Sequence, residues 1–159
     1  MSSETQTPDA EPDAQPPALR QPALFDTGVW TWARDRRFPQ LAQWFNAQVA
    51  ADRVLVCDLV ILELVRMAPN DTRAKETATR LGVFQSLPAT ADLWARAREL
   101  QLLLSDDGDH RRVPPADLLI AATAIAGGVV LVHYDRDYER IAGVSDLQHR
   151  WLLPDGTLA

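Results

Sequence analysis

The chain has 159 residues, 47% hydrophobic and 24% charged, with a formal net charge of −6, which is enough sequence for one compact domain and excludes a fibrous or wholly unfolded chain. That charge balance also excludes nucleic-acid binding by bulk positive charge, and the single cysteine, Cys57, builds neither an internal disulfide nor a thiolate metal cage, which fits a reducing, cytoplasmic setting. The N-terminus lacks the basic-then-apolar pattern of a signal peptide, and the longest uncharged run, 118–132, is interrupted by Gly127-Gly128 and falls short of a bilayer span.

Residues 1–20 are acidic and proline-rich without apolar periodicity and predict a disordered tail. Order is expected from Ala23-Leu24-Phe25, a short buried strand leading into a turn at Asp26-Thr27-Gly28. The apolar spacing of Leu41, Trp44, Phe45 and Val49 predicts a helix over 38–51, opened by Pro39. Val54-Leu55-Val56-Cys57 reads as a second strand, with Asp58 as N-cap of an apolar helix over 59–67. Further helices are expected over 72–82 and 90–104, followed by an aperiodic loop over 105–113. Pro114-Pro115-Ala116-Asp117 opens the most apolar helix, which ends at Gly127-Gly128 before a buried strand over 129–132. A short amphipathic turn over 138–142 and an edge strand over 147–151 complete a domain spanning 23–153, with 154–159 as a C-terminal tail. Short apolar strands alternating with helices predict an α/β fold, a three-layer α/β/α sandwich around a mainly parallel sheet.

Ligands of such sheets sit beyond the carboxyl ends of the strands, and several acids fall there. Asp26 follows the first strand; Asp135 and Asp137 follow the strand over 129–132; Asp117 opens the helix feeding that strand; Glu63 lies in the helix after the second. Asp26 also suits a turn or cap, and Asp117 a helix dipole. Glu63, the one charge in Leu59-Val60-Ile61-Leu62-Glu63-Leu64-Val65, requires a cation, hydrogen bonds or a proton. Converging carboxylates repel one another, and a divalent cation such as Mg²⁺ or Mn²⁺ relieves this with hard oxygen ligands. His110, His133 and His149 have no metal-ligand spacing and read as structural or surface residues. No phosphate-binding glycine loop, dinucleotide fingerprint or nucleophile elbow occurs.

Four segments then resemble, in order, the PIN domains, and among them the VapC-type toxin ribonucleases of toxin–antitoxin pairs. They are Leu24-Phe25-Asp26-Thr27-Gly28-Val29-Trp30, the helix with Leu62-Glu63-Leu64, Ala116-Asp117-Leu118-Leu119-Ile120-Ala121-Ala122-Thr123-Ala124, and Val132-His133-Tyr134-Asp135-Arg136-Asp137-Tyr138-Glu139-Arg140-Ile141-Ala142. The resemblance covers about residues 23–153. It implies a Mg²⁺- or Mn²⁺-dependent endoribonuclease whose catalytic, metal-holding acids are Asp26, Glu63, Asp117 and Asp135, with Thr27 and Asp137 in support, and whose products carry 5′-phosphate and 3′-hydroxyl ends. It also implies a homodimer, an antitoxin partner and a transfer or ribosomal RNA substrate. The long acidic lead-in and Gly28, where a small polar residue is commoner, depart from the family pattern.

Fifteen arginines and one lysine carry the positive charge, and Arg34, Arg36, Arg37, Arg111 and Arg112 are candidates for RNA phosphate contacts near the acidic rim. Trp30 and Trp32 suit base stacking or core packing. A receiver domain needs a lysine after a late strand, whereas Lys75 is mid-chain; a dehalogenase-like phosphatase needs Asp-x-Asp after the first strand, where Asp26-Thr27-Gly28 stands. The remaining alternative is a catalytically silent PIN-like module that binds RNA or protein.

Overall fold

A computed structural model describes residues 14–158, so the expectation of a disordered tail over residues 1–13 lies outside the described residues. In chain order the elements are β1 (Ala23–Phe25), α1 (Thr27–Trp32), α2 (Pro39–Ala50), β2 (Val54–Cys57), α3 (Asp58–Arg66), α4 (Asp71–Leu81), β3 (Gln85–Leu87), α5 (Leu93–Ser105), a 3₁₀ turn (Asp109–Arg111), α6 (Pro115–Gly127), β4 (Val130–His133), α7 (Arg136–Gly143) and β5 (His149–Trp151). All five strands are parallel, in the order β3-β2-β1-β4-β5. Right-handed crossovers place α1 to α4 on one face of the sheet and α5 to α7 on the other, giving the three-layer α/β/α sandwich expected from the alternation of strands and helices.

Burial explains which strands are apolar throughout. β1 and β2 are buried at every position and β4 at nearly every one, because helices cover both faces. The edge strand β3 is Gln85-Ser86-Leu87, largely exposed and lacking an apolar run, and for that reason carries no sequence signal of its own. The turn expected at Asp26-Thr27-Gly28 is instead the start of α1. Thr, Gly and Trp are weak helix formers, so this six-residue helix depends on burying Val29 and Trp30 and on its cap at Asp26. Asp58 is likewise not the N-cap of α3: β2 runs directly into the helix, Cys57 takes the cap position, and Asp58 sits in the first turn, where its charge complements the dipole. Asn70 caps α4 by accepting from the Arg73 N–H at 2.9 Å. Gly128 ends α6 with φ of 62°, a left-handed conformation that glycine adopts without a Cβ clash.

The folded body reaches past 23–153 at both ends. Residues 14–21 lie as a strap over α2 and β5: Pro16 is buried, the Trp44 indole N–H donates to the Pro17 carbonyl at 3.1 Å, and the Leu19 N–H donates to Gln48 Oε1 at 3.0 Å. Arg150 on β5 donates to the same Pro17 carbonyl. At the other end Leu158 is buried and its N–H donates to the Tyr134 hydroxyl at 2.8 Å. Among the described residues no helix is long and apolar enough to cross a membrane.

Candidate metal centre

The strand order reverses between β1 and β4. β1 pairs with β4 in the register Leu24 to Leu131 and Phe25 to Val132, after which the chain leaves β1 toward β2 and leaves β4 toward β5. A cleft opens at such a reversal, and the residues that follow the two strands flank it. Asp26 directly follows β1, its N–H bonded to the Val132 carbonyl at 3.0 Å. Asp135 follows β4 and caps α7, accepting from the Asp137 N–H at 2.9 Å. α6 must run back from this rim to feed β4, so its first turn, with Asp117, stands at the same edge.

Carboxylate oxygens of Asp117, Asp135 and Asp137 gather within 4.8 Å of one another. Asp26 joins them through Tyr138, a residue 0% exposed in α7 whose hydroxyl lies 2.7 Å from Asp26 Oδ1 and 3.3 Å from Asp117 Oδ1. One hydroxyl proton serves one acceptor at a time, and the shorter, buried contact is to Asp26. On the far side the Thr27 hydroxyl donates to Glu63 Oε2, tying the start of α1 to the middle of α3. This hydrogen bond answers the requirement that Glu63 find a polar partner within its apolar run.

Burial and mutual repulsion set the charge of the cluster. Burial raises Asp26 to about 6, with the Tyr138 hydrogen bond opposing and the charge of Glu63 adding to the rise. Asp117 is raised to about 7, first by burial and then by the charges of Asp26, Asp135 and Asp137. Asp137 is raised by burial and by Asp135, against the Arg140 guanidinium 2.7 Å from its Oδ1. Groups so arranged are short of positive charge. Clustered hard oxygen donors with no histidine or cysteine among them fit a divalent cation of the Mg²⁺, Mn²⁺ or Ca²⁺ type better than zinc.

His133 supports the site without joining the acid group. Burial, then the facing His149, push its pKa down to about 3, so the ring is neutral. Its Nδ1 accepts from the Asp135 N–H at 3.1 Å, which leaves Nε2 to carry the proton and donate to His149 Nδ1 at 2.8 Å. The pair fixes the backbone at Asp135. His133 is therefore structural, as its lack of metal-ligand spacing predicts.

Of the acids expected at the site, the structure brings Asp117, Asp135 and the supporting Asp137 together; Asp26 is linked through a hydroxyl, and Glu63 is bonded to Thr27. The cap of α7 is Asp135. Tyr138 is the residue that sequence reasoning missed; its signal is an aromatic beside an acid pair that carries a hydroxyl to a fully buried position. Gly28 leaves room: a Cβ there meets only Asp26 Oδ2, at 3.6 Å.

The arginines divide. Arg36 and Arg111 are exposed, Arg37 is paired with Asp35 at 2.8 Å, and Arg112 faces Asp109 at 3.7 Å. Arg34 lines a cleft between α1 and α4. Trp30 is buried, packed edge-on against Phe45 and Phe84, and Trp32 packs on Phe38 and Tyr134, so both serve packing.

The model of the PIN domain family matches residues 23–144. Ribonuclease VapC18 of Mycobacterium tuberculosis is 34% identical over 135 residues, covering 84% of this chain and 96% of its own length. Ribonuclease VapC21 of the same species is 38% identical over 92 residues, covering 54% of this chain and 65% of its own length. Among solved structures, DNA-bound VapBC from Salmonella typhimurium superposes with a TM-score of 0.65 at 18% identity, over 84% of this chain and 99% of that one, a likeness of fold. With its acids at the strand-order reversal and the family model matched along most of its length, the chain belongs to the PIN domain family.

Proposed function

We propose that the protein is a divalent-metal-dependent endoribonuclease, the toxin of a toxin–antitoxin pair. The observation that carries this is the group of Asp117, Asp135 and Asp137 oxygens within 4.8 Å at the reversal of strand order, in a chain whose relatives over 84% of its length include a ribonuclease. Asp117, Asp135 and Asp137 would hold the cation, Mg²⁺ or Mn²⁺, with Asp26 and Glu63 lining the same cleft. When bound, the cation supplies positive charge against the phosphate and lowers the pKa of water. Tyr138 keeps Asp26 oriented and favours its ionised form. Thr27 holds Glu63 toward the rim. The three first-turn or capping acids of α6 and α7 draw on the positive helix ends there.

The substrate is RNA, of the transfer or ribosomal kind by family resemblance, and an antitoxin presenting an arginine to the acids would silence them by supplying the missing positive charge. A homodimer is supported by Leu62 and Trp94, exposed large apolar side chains beside an apolar cleft between α3 and α5. The single buried cysteine fits a cytoplasmic site of action.

The test is cleavage of purified total RNA by wild type and by Asp117→Asn, each with Mg²⁺ and with EDTA. Discrete fragments from wild type with Mg²⁺ alone are expected. Fragments that persist in Asp117→Asn come from a contaminant, and four identical lanes from folded, antitoxin-free protein overturn the reading in favour of a binding module.

A further inference from the structure

The Thr27–Glu63 hydrogen bond joins α1 to α3, and both helices run away from the acidic rim. One turn further on, Thr31 and Met67 follow at the i+4 positions, with the Thr31 hydroxyl bonded back to the Thr27 carbonyl at 3.2 Å. There the two helices and α4 enclose a cleft of about 330 Å³, lined by Thr31, Arg34, Leu64, Met67, Thr77 and Arg80 among others. Its charge is opposite to that of the acid cluster. Arg73, also on its wall, is neutralised by Glu76 at 2.9 Å. Arg34 and Arg80 have no acidic partner among the described residues, and their charges act on each other across the cleft. Loss of water around the Arg34 guanidinium, then the charge of Arg80, lower its pKa below the ordinary arginine value. Two unpaired guanidinium groups facing one cavity repel until an anion sits between them.

We infer that this cleft, which begins one helical turn from the Thr27–Glu63 pair, is a subsite for a phosphodiester of a single-stranded RNA, gripped between Arg34 and Arg80. A helical turn rises 5.4 Å: Thr31 and Met67 at the near wall stand one turn from the Thr27–Glu63 pair and Arg34 a further turn on, so the subsite holds a phosphate upstream or downstream of the scissile one and draws the strand toward the acids that would otherwise repel it. The inference rests on the ribonuclease reading and adds to it a binding element, including Arg80, which lies far in sequence from every motif of the metal centre.

The experiment follows binding of a fluorescently labelled, mixed-sequence RNA of a dozen nucleotides to the full chain carrying Asp117→Asn, so that the RNA survives in Mg²⁺, over a series of salt concentrations. Arg80→Gln and Arg34→Gln are each expected to weaken binding about tenfold at low salt and to flatten the log–log salt slope by about 0.7 for the lost phosphate contact. Arg98→Gln on α5, away from the cleft, removes the same charge and gives the bulk-charge baseline. Arg34→Lys retains charge but not the fork, and is expected to lie between wild type and Arg34→Gln. Arg34 and Arg80 are both exposed, so their variants test the subsite without disturbing the core. Variants indistinguishable from Arg98→Gln, with RNA still bound and wild type still cleaving, overturn the subsite and leave the ribonuclease intact. Failure of the Asp117→Asn chain to bind RNA at all, with no cleavage by wild type, overturns both. Unchanged RNA binding with weakened capture of an acidic peptide overturns it in favour of a protein partner.

Discussion

Replacing Asp117 by asparagine removes one charge from the acid cluster while keeping an oxygen where the Tyr138 hydroxyl approaches, 3.3 Å from Oδ1. In the metal-free protein the Asp117 carboxyl is raised from 3.8 to about 7. Because the folded state holds this proton more tightly than the unfolded state, the associated stability is fully present below about pH 3.8 and is lost as pH rises through about 7. A rise from 3.8 to about 7 corresponds to about 4 kcal/mol, and because Asp117 is only part-buried, solvent screening reduces this to about 1–2 kcal/mol. Asparagine cannot ionise and escapes that loss. In EDTA at pH 7.5 the Asp117→Asn protein is therefore expected to melt about 2–8 °C above wild type, with the gap closing at pH 4.5. Excess Mg²⁺ should reverse the order, because the cation stabilises the ligand-complete chain by mass action. Thermal melts at the two pH values, with and without metal, measure this. A variant no more stable than wild type in EDTA at pH 7.5, or a gap equal at both pH values, would refute the account of the cluster as charge held apart only by protein.

Tyr138→Phe keeps the buried ring and removes the hydroxyl 2.7 Å from Asp26; loss of such a supporting hydrogen bond is expected to weaken metal binding about 10–100-fold, read by Mn²⁺ titration calorimetry, and to cost about 1–3 kcal/mol of stability for the buried carboxylate left without its donor. Removing residues 1–21 strips the Trp44 indole N–H and Gln48 of their partners and is expected to cost about 1–3 kcal/mol in urea unfolding.

The strands that form the middle of the sheet were legible because burial on both faces demands continuous apolar runs, and Val54-Leu55-Val56-Cys57 coincides with β2. Their order was not, since periodicity says nothing about which strand lies beside which. β3 escaped because one exposed edge needs no apolar signature, and α1 because propensity argues against it while tertiary burial of Val29 and Trp30 forms it. At the site, the positions of Asp26, Asp117 and Asp135 after or before strands could be read directly. Tyr138 could not: its role lies in a hydroxyl pointing back across the cleft, and the chain shows only an aromatic in an amphipathic segment. Among the arginines, sequence proximity to a motif singled out Arg34 but had no means of finding Arg80, which only the packing of α4 brings to the same cleft.

The hydrogen bond between Tyr138 and Asp26 spans 112 positions of the chain. β1, the first strand made, takes β4, the last but one, as a neighbour. During synthesis the first acid therefore waits, unaccompanied, until nearly all of the domain has been translated, and closing so long a loop is among the slow steps of folding. Truncated or half-made chains carry Asp26 and Glu63 but not the group of Asp117, Asp135 and Asp137. The acid group is thus completed only at the end of the chain's own production, when α6 and α7 arrive beside β1.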